Sequence, residues 1–119
     1  RYERARQRFC AQAGEFLGRL HALDPAPAAF LAEVPDSIDP LATTMARIDR
    51  WGGVHPALEL AARWLERHRP TSTRRCLLHG DFRTGNMLLD EEGMRAVLDW
   101  ECAHLGAPAE DLGWLCLRS

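Results

Sequence analysis

The chain has 119 residues and no lysine: its 15 basic residues are all arginine, set against 17 acidic ones, for a formal charge of −2. That length bounds the chain to one domain with a real core, and 46% hydrophobic with 27% charged residues excludes a disordered segment. The near-neutral balance argues against a nucleic-acid partner, which calls for a basic excess. No apolar run reaches the roughly 18 residues of a membrane span. The opening RYERARQRF has charge but no apolar stretch behind it, unlike a signal peptide. Cys10, Cys76, Cys102 and Cys116 show no CxxC spacing, which argues against structural zinc. They predict reduced, mostly buried thiols in a cytoplasmic protein.

Residues 2–22 read as an amphipathic helix, with Phe9, Ala13, Phe16, Leu17 and Leu20 on one face of a 3.6-residue period. Asp24-Pro25 ends it, because the residue before proline is pushed out of the helical region. The proline-rich stretch 24–40 reads as a loop with little regular structure. A helix over about 41–51 follows, with Leu41, Met45 and Ile48 inward and Gly52-Gly53 ending it. A third helix begins near Pro56, a favoured first helical position, with Leu58, Ala61 and Leu65 on its apolar face. Trp51, Trp64 and Trp114 read as packing residues.

After Arg75 the pattern changes. CLLH (76–79), MLLD (87–90) and MRAVLDW (94–100) read as strands, HGDFRTGN (79–86) and ECAHLGAP (101–108) as loops, and DEEG (90–93) as a hairpin turn. Gly93 takes the position that needs positive φ. A last helix starts at Pro108 and runs to 118. Both ends of the chain read as cut, as expected of a fragment.

Polar residues concentrate in 79–101, where His79, Asp81, Arg83, Asn86, Asp99 and Glu101 all lie. With a Glu92-Gly93 hairpin loop, Asn86 faces Asp99. With a three-residue loop and a bulge at Gly93, the pairing slips by one. Either way the two side chains can converge at a strand end. An amide oxygen beside a carboxylate suits a hard cation such as Mg²⁺, and Asp81 is left to accept a proton or hold a hydroxyl. Taken singly, Asp81 and Asn86 read more simply as turn residues and Arg83 as half of a surface ion pair. His21, His55, His68 and His104 read as structural or surface residues.

The spacing also carries a family resemblance. Asp81 precedes Asn86 by five positions, and Asn86 precedes Asp99 by thirteen. This order and these gaps are similar to the protein-kinase catalytic loop and its metal-binding Asp. His79-Gly80-Asp81 resembles the aminoglycoside phosphotransferase and choline kinase group. HGDFRTGN, VLDWE and EDLGWL look most like the branch associated with acyl-CoA dehydrogenases, and FLGRLHALDP (16–25) resembles a helix end of that group. The resemblance is strong over 70–119 and weak over 10–25.

It implies an α+β fold, part of the C-terminal lobe of a protein-kinase-like structure. Residues 1–70 would be helical, 76–101 would hold the catalytic and metal-binding segment, and 108–118 the last helix, with the nucleotide-clamping N-terminal lobe absent. The implied activity is Mg²⁺-dependent transfer of the γ-phosphate of ATP or GTP to a hydroxyl of a small molecule. Asp81 would be the base or the group that orients the acceptor, and Asn86 and Asp99 would hold Mg²⁺ on the nucleotide. Arg83 would offset charge on the transferred phosphate. His79 would brace the loop, and Asp111 would buttress it from a helix start.

Gly106-Ala107-Pro108 departs from the group's frequent Gly-Asp-Pro, and Trp100 stands where protein kinases carry Phe. No glycine-rich loop and no lysine are present to hold the α- and β-phosphates, so the chain alone is expected to be inactive. Two other readings compete: a noncatalytic pseudokinase or binding module, and a metal-dependent hydrolase using His79, Asp81, Asp99 and Glu101. Residues 24–70 carry seven acidic side chains balanced by five arginines, which singles out no polycationic acceptor.

Overall fold

In the computed structural model, which describes residues 2–70 and 74–117, the first helix α1 covers Glu3–Leu20. Its stripe forms the centre of the molecule: Ala13, Leu17 and Leu20 are buried together with Phe82 and Met87. Phe9 and Phe16 pack against them from the same helix, and Leu77, Met94, Val97 and Leu115 from the rest of the chain. Removing a leucine of this size from water contributes about 2 kcal/mol, so this one helix face carries much of the fold's stability.

The stretch 24–40 is more regular than its prolines suggest. Asp24 caps a turn by accepting from the Ala26 N–H at 3.0 Å. Short 3₁₀ turns fill Ala26–Glu33 with a kink at Ala28, and a four-residue helix α2 spans Pro35–Ile38. Each begins at or next to a proline, where the missing N–H costs nothing. Ser37 then ties this segment inward. Its hydroxyl donates to the Leu31 carbonyl at 2.8 Å and accepts from the Leu105 N–H at 2.7 Å.

Helix α3 spans Pro40–Trp51, with Asp39 capping it through the Ala42 N–H at 3.0 Å and Gly52 ending it at φ 71°. Ile48 is buried, and Leu41 and Met45 are half-buried, as the spacing predicts. Helix α4 spans Pro56–Arg67 and its main neighbour is α3. Its predicted apolar face is not covered. Leu58 and Leu65 are exposed, and Ala62 is the buried residue of this helix. Trp51 and Trp64 are also exposed, at 76% and 57%, with Trp64 stacked on His68; Trp114 is half-buried.

Two separate antiparallel pairs replace the single frame expected after Arg75. Strand β1 (Cys76–Leu78) pairs with a strand that its sequence did not announce, β4 (His104–Gly106), in the register Cys76↔Gly106, Leu77↔Leu105, Leu78↔His104. Strands β2 (Met87–Asp90) and β3 (Gly93–Val97) form the predicted hairpin around Glu91 and Glu92, with Gly93 at φ 121°. Helix α1 grips that turn. The Gln12 amide oxygen accepts from the Met94 N–H at 2.9 Å, and its NH₂ donates to the Glu92 carbonyl. A side chain on Gly93 would strike Gln12. Helix α5 spans Ala109–Cys116; position 118 of the predicted helix lies outside the described residues. All four cysteines are free, but only Cys76 is buried, which corrects the expectation of mostly buried thiols. Burial pushes the Cys76 thiol up from its ordinary value.

Candidate active site

The loop between β1 and β2 is anchored from both sides before any polar chemistry is arranged. Phe82 is fully buried and stacks on Phe16 of α1, centroids 5.6 Å apart and planes 9° apart. The neighbours Asp81 and Arg83 are thereby held at the surface of the core. The sequence signal for this anchor was a lone aromatic inside a polar loop. From below, Asp111 at the start of α5 is also fully buried. Its carboxylate accepts from the backbone N–H groups of His79 at 3.1 Å and Gly80 at 2.9 Å, and from His21 Nε2 at 2.9 Å. His21, at the end of α1, is thus an internal residue linking α1 to α5.

His79 is fully buried, and its ring nitrogens are both engaged. Nδ1 accepts from the Asp81 N–H at 3.2 Å, so Nε2 carries the proton and donates to the Leu98 carbonyl at 2.9 Å. The Trp100 ring covers it at a centroid distance of 4.6 Å. This ring braces the loop and has no nitrogen to offer a metal. The hydrolase reading needs a free His79 nitrogen, and both are engaged.

Asp81 and Asn86 come together directly. Asn86 is buried, and its side-chain NH₂ donates to Asp81 Oδ2 at 2.7 Å and to the Asp81 carbonyl at 3.0 Å. Arg83 Nε lies 3.1 and 3.0 Å from the two Asp81 oxygens. That pair is partly exposed, at 46% for Arg83 and 20% for Asp81, and an ion pair in contact with water contributes at most about 1 kcal/mol. Arg83 is therefore free to leave Asp81 for a stronger anion at little cost.

Asp99 sits one position beyond the residue opposite Asn86, the slipped register of the two that the sequence leaves open. A bulge between Leu88 and Leu89, not at Gly93, shifts the strands, and the Leu98 N–H donates to the Asn86 carbonyl at 2.8 Å. Leu98 is opposite Asn86, and Asp99 is the next residue. Asp99 adopts φ 64°, ψ 67°, an uncommon conformation for a residue with a side chain. Such backbone strain concentrates at ligand sites. Trp100–Cys102 then form a 3₁₀ turn. Gly80, at φ 80°, presses against this turn: a Cβ there would collide with the Cys102 carbonyl. Glycine is required at this position on both counts. It brings the Asp81 loop and the Asp99 turn into contact. Glu101 is exposed, and Ala107, where the resemblance expects an acid, is exposed as well. Cys102 is exposed, and its thiol is pushed up from the ordinary value, first by desolvation and then by Asp81 and Glu101.

Comparisons with known proteins bear on the family and the fold. The chain is 44% identical over 64 residues to acyl-CoA dehydrogenase family member 10 of Mus musculus, covering 52% of this chain and 6% of that protein. It is 42% identical over 65 residues to acyl-CoA dehydrogenase family member 11 of Rattus norvegicus, covering 52% and 8%. The chain thus spans less than a tenth of the length of these curated relatives. Its structure is similar to the crystal structure of a macrolide 2'-phosphotransferase from Brachybacterium faecium, with a TM-score of 0.59 and 28% identity, over 93% of this chain and 37% of that one. The mixed architecture of helices with two small antiparallel sheets is that of part of a kinase-like phosphotransferase. The model of the phosphotransferase enzyme family matches residues 1–119, and the chain belongs to that family.

Proposed function

We propose that this chain supplies the acceptor-side and metal-side residues of a Mg²⁺-dependent kinase that transfers the γ-phosphate of ATP or GTP to a hydroxyl of a small molecule. The observation that carries the reading is the joint placement of Asp81, Asn86 and Arg83 in one bonded cluster. Gly80 packs this cluster against the turn that begins at the strained Asp99. The macrolide 2'-phosphotransferase likeness supports a hydroxyl as acceptor.

Three N–H contacts to Asp81 leave lone pairs for an acceptor O–H. In the proposed mechanism Asp81 accepts that proton, or orients the hydroxyl for in-line attack. The donor set at Asn86 and Asp99 fits Mg²⁺. The Asn86 NH₂ is committed to Asp81, which leaves its amide oxygen as the available ligand, and Asp99 adds one carboxylate. One or two protein oxygens plus substrate phosphates is the usual way Mg²⁺ is held. The ion, when bound, neutralises charge on the nucleotide phosphates. Arg83, released from Asp81, would meet the transferred phosphoryl oxygens.

The 119 residues act as part of the C-terminal lobe, with the catalytic and metal-binding segment at 76–101. The α- and β-phosphates are held by groups outside these residues, which contain no lysine. Free thiols support a cytoplasmic setting. No helix among the described residues is long and apolar enough to cross a membrane. Phosphoryl transfer to a hydroxyl acceptor, assayed in the full polypeptide with and without Mg²⁺, tests the reading. Asp99→Ala is expected to abolish Mg²⁺-dependent turnover and Asn86→Ala to reduce it less. Near wild-type kcat in Asp99→Ala refutes the assignment.

A further inference from the structure

His21, His79 and His104 are buried, yet their ring nitrogens face different partners. The His79 ring has one acceptor and one donor to satisfy, which a neutral imidazole does. His104, 2% exposed on β4, has two oxygens to satisfy: Nδ1 lies 2.9 Å from the Cys102 carbonyl and Nε2 lies 3.3 Å from Glu110 Oε2. A carbonyl and an ionised carboxylate both only accept. A neutral ring has one N–H, so one of these oxygens would face a bare lone pair. Both contacts close only when both ring nitrogens carry protons. Glu110 is 30% exposed, so water also solvates its charge.

Among the described residues, the other ionisable neighbours are bonded elsewhere or exposed. Asp111, beside Glu110 on α5, is committed to His21 and to the His79 and Gly80 N–H groups. Arg75, just before β1, is committed to the Ser37 and Leu105 carbonyls. On β1 the Cys76 thiol donates to the Gly106 carbonyl at 3.7 Å. Glu101 and the Cys102 thiol are exposed on their turn.

The contact made by Nδ1 lies on the seam of the site. The Cys102 carbonyl is the atom that Gly80 packs against, and a Cβ on Gly80 would also come 3.1 Å from His104 Nδ1. Gly80 immediately precedes Asp81, and Cys102 closes the turn that begins beyond Asp99. We propose that His104 is a positioning residue: doubly protonated, it spans Glu110 and the Cys102 carbonyl and locks the Asp99 turn beneath Gly80. Loss of one ring proton opens one of the two contacts. The locked turn therefore belongs to the lower-pH side and loosens as pH rises. The link to turnover rests on the phosphotransferase reading; the ring state does not.

Glu110→Gln separates the outcomes, because its amide NH₂ can donate to a bare Nε2. A neutral ring protonated at Nδ1 then keeps both contacts. With the chain labelled at histidine nitrogens, NMR is expected to show both His104 nitrogens protonated at pH 7 in the wild type. In Glu110→Gln it is expected to show one proton, on Nδ1. The Gly80 and Cys102 amide signals should shift with the loss of the His104 proton in the wild type and stay fixed in Glu110→Gln. In the full polypeptide, kcat/KM should fall about tenfold per pH unit along the limb set by that single proton, and Glu110→Gln should remove the limb. A singly protonated wild-type ring at pH 7, amide signals that ignore its titration, or a limb unchanged in Glu110→Gln each overturn the proposal. If no variant transfers phosphate, the phosphotransferase reading fails, and the ring and amide signals still decide the role of His104.

Discussion

A carboxylate with no exposed surface and three N–H donors, as at Asp111, has no water to fall back on. Asp111→Ala leaves the His79 and Gly80 N–H groups buried and unpaired, at about 1–3 kcal/mol each. Against a total stability of about 5–15 kcal/mol, urea midpoints should fall steeply in this variant. His21→Ala keeps both N–H contacts and should cost less. Equal losses for the two variants would show that the loop does not depend on those contacts. Asp81 differs because it is partly exposed and its neighbours are replaceable by water. Asp81→Asn should leave stability nearly unchanged. In the full polypeptide it should lower kcat by about 10²–10⁴-fold, the range of a positioned proton-transfer group. Loss of nucleotide affinity at unchanged kcat would reassign Asp81 to a structural role.

Helix α3 shows how a short element depends on its first residue. Asp39 accepts from the Ala42 N–H and from Arg69, and these contacts, the Ala42 N–H foremost, hold its carboxyl below the ordinary range. A carboxyl lowered in the folded state contributes stability above its unfolded value of about 4, and that contribution is lost as pH falls through the lower folded value. Asp39→Ala should therefore melt earlier than wild type at pH 7, with the difference vanishing on acidification below about pH 4. A gap that persists unchanged in acid argues that the cap is not the source. The hairpin β2–β3 is set differently, by Gln12 reaching from α1 to both sides of its turn. The bulge at Leu88/Leu89 then decides that Leu98, and not Asp99, lies opposite Asn86.

At the scale of the molecule, surface is the dominant observation. The accessible area is 8621 Å², against about 6,500 Å² for a folded monomer of this mass. The radius of gyration is 16.1 Å, against about 13.5 Å for a compact domain of this length. Much of the excess is apolar and lies on α3 and α4 and between them, at Trp51, Val54, Leu58, Leu60 and Trp64. A nucleotide at Asn86 and Asp99 would likewise meet protein on one side, where each charged contact is screened by water. Calorimetry of Mg-ATP on the 119 residues should show binding weaker than micromolar, with no phosphotransfer detectable. Micromolar or tighter binding would mean that these residues complete the nucleotide site and that the second-lobe reading is wrong.

The sequence alone makes the order of the helices, the hairpin and the spacing of Asp81, Asn86 and Asp99 legible. Those signals are written within three or four residues: a proline at a helix start, an apolar period along α1, a glycine after two acids at a turn. It did not determine β4, because three residues carry no period and His104–Gly106 becomes a strand only through Cys76–Leu78, about 30 positions away. Nor did it separate the buried histidines from the exposed ones. His21 and His104 are internal because Asp111 and Glu110 arrive from α5 to meet them, whereas His55 and His68 bond to carbonyls only three and four residues away. The apolar spacing of α4 read as a buried face, yet spacing states only which residues share a side. Whether that side is covered depends on what other chain reaches it, and only the tertiary structure decides that.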